Sequence, residues 1–156
     1  STSDPLTKSL TDAREALNRV PAYLEKREWE KVRQVVDDLL TTMTFSRYTG
    51  ESVKARASKW AAAGDKELSD KILARRISLT RSIATFEEAV FAAQVSNKKK
   101  TLSPDELQAA GRAVTAELDS LLPLLGCESR WKSGRCEILP LAEERTMTDL
   151  VGGPKF

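Results

Sequence analysis

The sequence predicts an all-α fold: an antiparallel up-down four-helix bundle over residues 1–126, followed by a short irregular C-terminal extension over residues 127–156. Three observations lead there. Apolar residues recur at intervals of three and four along successive stretches of the chain, the period that gathers them on one face of a 3.6-residue helix. The connections between these stretches are short, and helices with one apolar face each cover those faces most economically by packing on one another. Beyond Gly126 the period is lost, and Gly134, Pro140, Gly152, Gly153 and Pro154 punctuate a polar segment, as loops do.

The first helix is expected to begin at Asp4-Pro5, with Leu6, Leu10, Ala13, Leu17, Val20 and Leu24 on its inner face. Pro21 interrupts that series, because it has no N–H and its ring opposes the preceding turn. It predicts a kink or an end. Trp29, Val32, Val36, Leu39 and Met43 form the second stripe, which weakens through Thr41–Thr44 and Tyr48-Thr49-Gly50 and resumes at Val53, Ala57 and Trp60. That pattern reads as two collinear pieces or one bent helix. Gly64 is a candidate C-cap, and Asp65 a candidate start for the next helix.

The third stripe is the clearest: Leu68, Ile72, Leu79, Ile83, Phe86 and Val90, running to Ser96-Asn97 with Arg75, Arg76 and Arg81 interspersed. Lys98-Lys99-Lys100 follows, where cations suit the end of a helix. Ser103-Pro104-Asp105-Glu106 is the sharpest boundary in the chain. A capping Ser, a Pro at the first helical position and acids in the first turn all suit the exposed amides there. Leu107, Gly111, Val114, Leu118, Leu121 and Leu125 continue from it, and Pro123 and Gly126 crowd its end.

A length of 156 residues with 40% hydrophobic and 31% charged residues fits one soluble globular domain that folds without a metal or disulfide. The sequence contains no His, which removes imidazole metal ligation, Ser-His-Asp and Cys-His relays and HExxH metalloprotease sites together. Asp37-Asp38 and Glu87-Glu88 are adjacent pairs, and neighbours on a helix point in different directions. No acid–base pair is selected by spacing, and the chain reads as non-catalytic, without a cofactor or metal of its own. No apolar run reaches the length of a membrane span and no signal peptide is visible; Ser1 in place of Met suggests a processed chain.

The net charge of +2 is too small to drive strong non-specific nucleic-acid binding. Its distribution is uneven: residues 47–100 hold 12 positive and 6 negative charges, whereas residues 101–126 hold 1 and 4. The cluster comprises Arg47, Lys54, Arg56, Lys59, Lys66, Lys71, Arg75, Arg76, Arg81 and Lys98–Lys100. It reads either as a solvated bundle face or as a docking surface for an acidic protein or membrane complex. Nucleic-acid binding is disfavoured by the absence of a stacking motif or recognition helix. Trp29 and Trp60 fall on apolar stripes, which predicts core or core-edge packing. In the extension, Cys127 and Cys136 enclose Arg130, Trp131, Lys132 and Gly134. Their spacing permits a disulfide and equally two reduced thiols, and the absence of C-x-x-C disfavours a catalytic dithiol. Trp131, between basic residues, is the best aromatic interface candidate.

Ala13-Arg14-Glu15-Ala16-Leu17, Val20-Pro21-Ala22-Tyr23-Leu24 and Glu28-Trp29-Glu30-Lys31-Val32-Arg33 resemble the first helices of the PsbQ-like extrinsic subunits of photosystem II. Arg47-Tyr48, the long basic helix and the fourth helix through Leu125 resemble that group as well, so the likeness covers residues 6–125. The cysteine-containing extension is most similar to the distinctive extrinsic subunit of diatoms and related algae. The resemblance implies a lumenal, non-catalytic four-helix protein of the plastid thylakoid, peripheral to the membrane. Its implied partners are the photosystem II core and other extrinsic subunits, and its implied role is to stabilise the water-oxidising centre and its calcium and chloride environment. The manganese–calcium cluster would belong to the partner. Arg56, Lys59, Arg75, Arg76 and Arg81 are the expected docking residues. In an oxidising lumen, a Cys127–Cys136 disulfide is expected to order a partner-facing loop with Arg130, Trp131 and Lys132. The competing reading is a soluble helical adaptor or nucleic-acid-associated protein using the same basic face.

Overall fold

Asp4 caps the first helix through its carboxylate, which accepts hydrogen bonds from the Thr7 amide at 3.1 Å and the Thr7 hydroxyl at 2.9 Å. Pro5 follows at the first helical position, where its missing N–H costs nothing. The computed structural model describes residues 4–44, 50–95, 102–126, 131–132 and 135–136. Their helices are α1 (Pro5–Leu17), α2 (Val20–Glu25), α3 (Trp29–Thr44), α4 (Val53–Ala62), α5 (Lys66–Gln94) and α6 (Pro104–Leu125). Two short strands, β1 (Trp131–Lys132) and β2 (Arg135–Cys136), pair antiparallel.

The fold class is therefore all-α apart from that small ladder, but the first two expected helices are each divided. The break in the first lies at Asn18-Arg19, one turn before Pro21. There the Asn18 and Arg19 amides donate to Glu15 O and Ala16 O in tight i−3 turns. Pro21 cannot donate to Leu17 O and its ring opposes that carbonyl, so the ladder gives way ahead of it. Pro21 itself occupies the first turn of α2. The second expected helix becomes α3 and α4, with residues 45–49 outside the described set.

The end of α2 is closed by a Schellman pair: the Glu28 amide donates to Tyr23 O at 2.9 Å and the Arg27 amide to Leu24 O at 3.1 Å. This motif requires a left-handed residue, and Arg27 supplies it with φ 56°. Gly64 does the same after α4 with φ 95°, a conformation available to glycine without steric cost. Asp65 then caps α5, accepting from the Leu68 amide at 3.1 Å. At α6, the Ser103 hydroxyl accepts from the Glu106 amide while the Glu106 carboxylate accepts from the Ser103 amide, both at 3.2 Å, a reciprocal capping box.

The helices α1 and α2 run antiparallel to α6. Gly111 of α6 lies against the Phe86 ring of α5 and Val20 of α2, at 3.4 and 3.7 Å from the position its Cβ would occupy. Arg14 of α1 meets Asp119 of α6 at 2.6 Å, and the Gln108 amide of α6 donates to Pro21 O at 2.9 Å. Advancing along α1 and α2 thus retreats along α6. The helix α5 packs on α3, α4 and α6, and one continuous core runs between them. Leu6, Leu10, Leu39, Ile72, Leu79, Ile83, Phe86, Val114, Leu118, Leu121 and Leu125 are at most 1% exposed in it. Trp60 is buried in this core, and Trp29 lies at its edge, as their spacing predicts.

Candidate docking surface and the buried arginine

Of the twelve cations in the middle third, eight lie on α4 and α5, and the two helices dispose of them differently. On α5, Arg75 and Arg81 are exposed and Arg76 is half-buried, and none of the three makes an ion pair with another described residue. Successive helical residues turn by roughly 100°, so these three side chains fan around α5 rather than converge on one point. Lys54 on α4 is exposed as well. Lys66 and Lys71 are held by Asp70 and Glu67 at 3.1 and 3.4 Å, each a surface pair one turn along the helix. The exposed cations are therefore spread along α4 and α5, alongside Glu87 and Glu88, and form no discrete site among the described residues.

Arg56 is not part of that surface, which corrects the expectation drawn from its charge. Its side chain is 0% exposed. Nε donates to Glu51 Oε2 at 2.7 Å and Nη2 to Glu51 Oε1 at 2.8 Å. Nη2 also donates to Asp4 Oδ1 at 2.7 Å, and Nη1 to Asp4 Oδ2 at 3.3 Å and to Leu125 O at 2.7 Å. A guanidinium has five N–H donors, and these five bonds engage all of them. Lys59, half-buried, brings its ammonium to 3.7 Å from Glu51 Oε2, so it serves this cluster and is not a free docking cation.

Among the described residues, two cations thus face two carboxylates. Burial is the largest influence on Arg56 and lowers its pKa, yet the hydrogen bonds and charges of Glu51 and Asp4 together raise it above the ordinary arginine value. Burial likewise pushes Asp4 up, but the Arg56 hydrogen bond and charge, with the Thr7 donors, hold its carboxyl below the ordinary 3.8. The cluster joins the N-cap of α1, the approach to α4 and the last carbonyl of α6, where the helix dipole favours a cation. Its chemistry is that of a clamp between chain segments, with no N–H left over for a ligand.

In the extension, β1 and β2 set Trp131 across from Cys136 and Lys132 across from Arg135, a ladder that loss of periodicity did not predict. Cys127 and Arg130 lie outside the described residues, as do Arg47 and Lys98–Lys100; so, therefore, does the expected Cys127–Cys136 pairing.

Two apolar grooves open on the surface. One, of about 560 Å³, lies where α2, α3, α5 and α6 meet, between Leu24, Trp29, Ala93, Leu102 and Leu107. The Arg27 guanidinium stacks 5.1 Å from the Trp29 ring at its rim. The other, of about 220 Å³, runs between α3 and α5 beside Val36, Val90 and Phe91. Among the described residues, no three Cys, Asp or Glu side chains gather to hold a metal ion, and no helix is long and apolar enough to cross a membrane. Comparison with family models, curated proteins and solved structures finds no match.

Proposed function

We infer that this chain is a non-catalytic extrinsic subunit of photosystem II that docks on the lumenal side of the thylakoid membrane. There it stabilises the water-oxidising centre and its calcium and chloride environment. The observation that carries this reading is the coincidence of the PsbQ-like runs with individual elements. Ala13–Leu17 close α1, Val20–Leu24 form α2, and Trp29–Arg33 open α3. The antiparallel packing of α1 and α2 on α6 also supports a four-arm bundle in which α1 with α2, and α3 with α4, form two broken arms beside α5 and α6.

The supporting chemistry is a helical scaffold that presents Lys54, Arg75, Arg76 and Arg81 to an acidic partner. Charge contacts of this kind weaken as salt shortens the Debye length from about 10 Å at 0.1 M to about 3 Å at 1 M. In the extension, a Cys127–Cys136 disulfide would hold the β1–β2 ladder that carries Trp131 and Lys132. Intact mass before and after reduction and alkylation tests the bond, and two free thiols in the native protein would overturn it. For docking, Arg75→Glu with Arg76→Glu is expected to release the chain from stripped photosystem II membranes at lower salt, with helical content unchanged by circular dichroism. Unaltered salt-sensitive attachment would remove these residues from the docking surface.

A further inference from the structure

Among the described residues, three large apolar side chains stand out from the surface: Ile77 at 45%, Phe91 at 61% and Val95 at 53% exposure. All belong to α5 or its C-cap. With Arg81, Ala84 and Glu88, also exposed, they form the series 77, 81, 84, 88, 91, 95. The alternating steps of four and three are the seam spacing of a coiled coil. The opposite face of α5 carries the core residues Ile72, Leu79, Ile83, Phe86, Val90 and Ala93. A helix covered on one side is expected to be polar on the other; here Phe91 and Val95 stand one turn apart at one end of the outward row and Ile77 at the other, with the opposite charges of Arg81 and Glu88 between them.

We propose that this outward stripe is a self-complementary seam through which two copies of the chain pair antiparallel. The charges choose the partner and the direction. Arg81 and Glu88 are two turns apart, about 10 Å along the axis, too far to pair within one helix, and neither makes an ion pair with another described residue. A two-fold axis beside Phe86 sets Ile77 against Val95 of the second copy, Arg81 against its Phe91, and Ala84 against its Glu88. Each Arg81 then stacks on an aromatic ring and reaches the second copy's Glu88 one turn away. Every such contact occurs twice, as an isologous interface requires. Ala84 keeps the centre small enough for close approach. Parallel pairing would oppose Arg81 to Arg81 and Glu88 to Glu88. The seam spans about 27 Å of helix, so the pair forms reversibly with concentration.

Sedimentation velocity of the full chain, without membranes, tests this. The mass is expected to climb with concentration from 17.3 kDa toward twice that value. Arg81→Glu or Glu88→Arg alone opposes like charges and keeps the chain monomeric, with circular dichroism confirming that each variant is folded. The double variant restores the dimer, and an equimolar mixture of the two single variants forms a heterodimer. A monomer at every concentration would overturn the proposal, as would a dimer indifferent to the single reversals or a double variant that stays monomeric. Arg81 is also a docking residue of the proposed function, so self-association is read here without membranes while the attachment test alters only Arg75 and Arg76, and either can fail alone.

Discussion

Arg56 lies three residues after Val53 and four before Trp60, on the stripe that α4 turns inward. The spacing therefore carried its burial, and its charge concealed it. What spacing could not carry is the identity of its acceptors, since Asp4 and Leu125 are far away in sequence and meet it only through the packing of α1, α4 and α6. Truncating one member of a buried ion cluster leaves the others unpaired in a poor solvent. Arg56→Ala is accordingly expected to cost about 3–5 kcal/mol, read as a fall in the urea midpoint. The Asp4 carboxyl adds an acid limb. Its folded pKa lies below 3.8, so its stabilisation is complete above that value and is lost as pH falls through the lower, folded one. Urea midpoints measured from neutral to acid pH should show this loss in the wild type. Glu87 has the opposite sign. Burial, and then the charge of Asp37, raise its pKa above 4.5, so its ionisation disfavours the folded state at neutral pH. Glu87→Gln is expected to raise the urea midpoint at pH 7, and the gain should vanish below pH 4.5.

Element boundaries follow local chemistry, and they were legible wherever that chemistry is complete within a few residues. Asp4, Gly64-Asp65 and Ser103–Glu106 act where the sequence places them. Ser103→Ala is expected to lower stability by about 1 kcal/mol, measured by thermal unfolding, because the Glu106 amide loses its acceptor. The division at Asn18-Arg19 was less legible, since the proline responsible stands two residues later and the apolar period continues through the break. Arg27 was not legible at all: a left-handed arginine is disfavoured sterically, and the turn becomes necessary only because α3 must fold back on α2. Gly111 belongs to an apolar stripe by spacing, but its meaning is set by Phe86. Gly111→Ala should add about 0.5–1 kcal/mol through helix propensity, because its methyl meets the Phe86 ring at 3.4 Å, an ordinary contact. Gly111→Leu should instead cost about 1–3 kcal/mol by overpacking; chemical denaturation distinguishes the two signs.

Across the whole molecule, the helical class and the inner faces were readable because 3.6-residue periodicity is a property of single stripes. Surface roles are not. Charge counting marked the middle third as basic but treated Arg56, Lys59, Lys66 and Lys71 like Arg75 and Arg81. Folding then withdrew the first two into a clamp and gave the next two carboxylate partners. The outward row of α5 escaped the same reading, because Ile77, Phe91 and Val95 fall outside the inner stripe and look like scattered surface residues until the described helices are seen to leave that face exposed. What remains on the described surface is a helical scaffold with Lys54, Arg75, Arg76 and Arg81 dispersed over α4 and α5.

The proposed attachment to photosystem II is open to a rebinding assay on membranes stripped of their extrinsic proteins, with oxygen evolution followed on the same samples as salt is varied. Saturable, salt-sensitive rebinding accompanied by recovered oxygen evolution is the expected outcome. Membranes competent to rebind their own extrinsic proteins, yet neither binding this chain nor regaining activity with it, would contradict it.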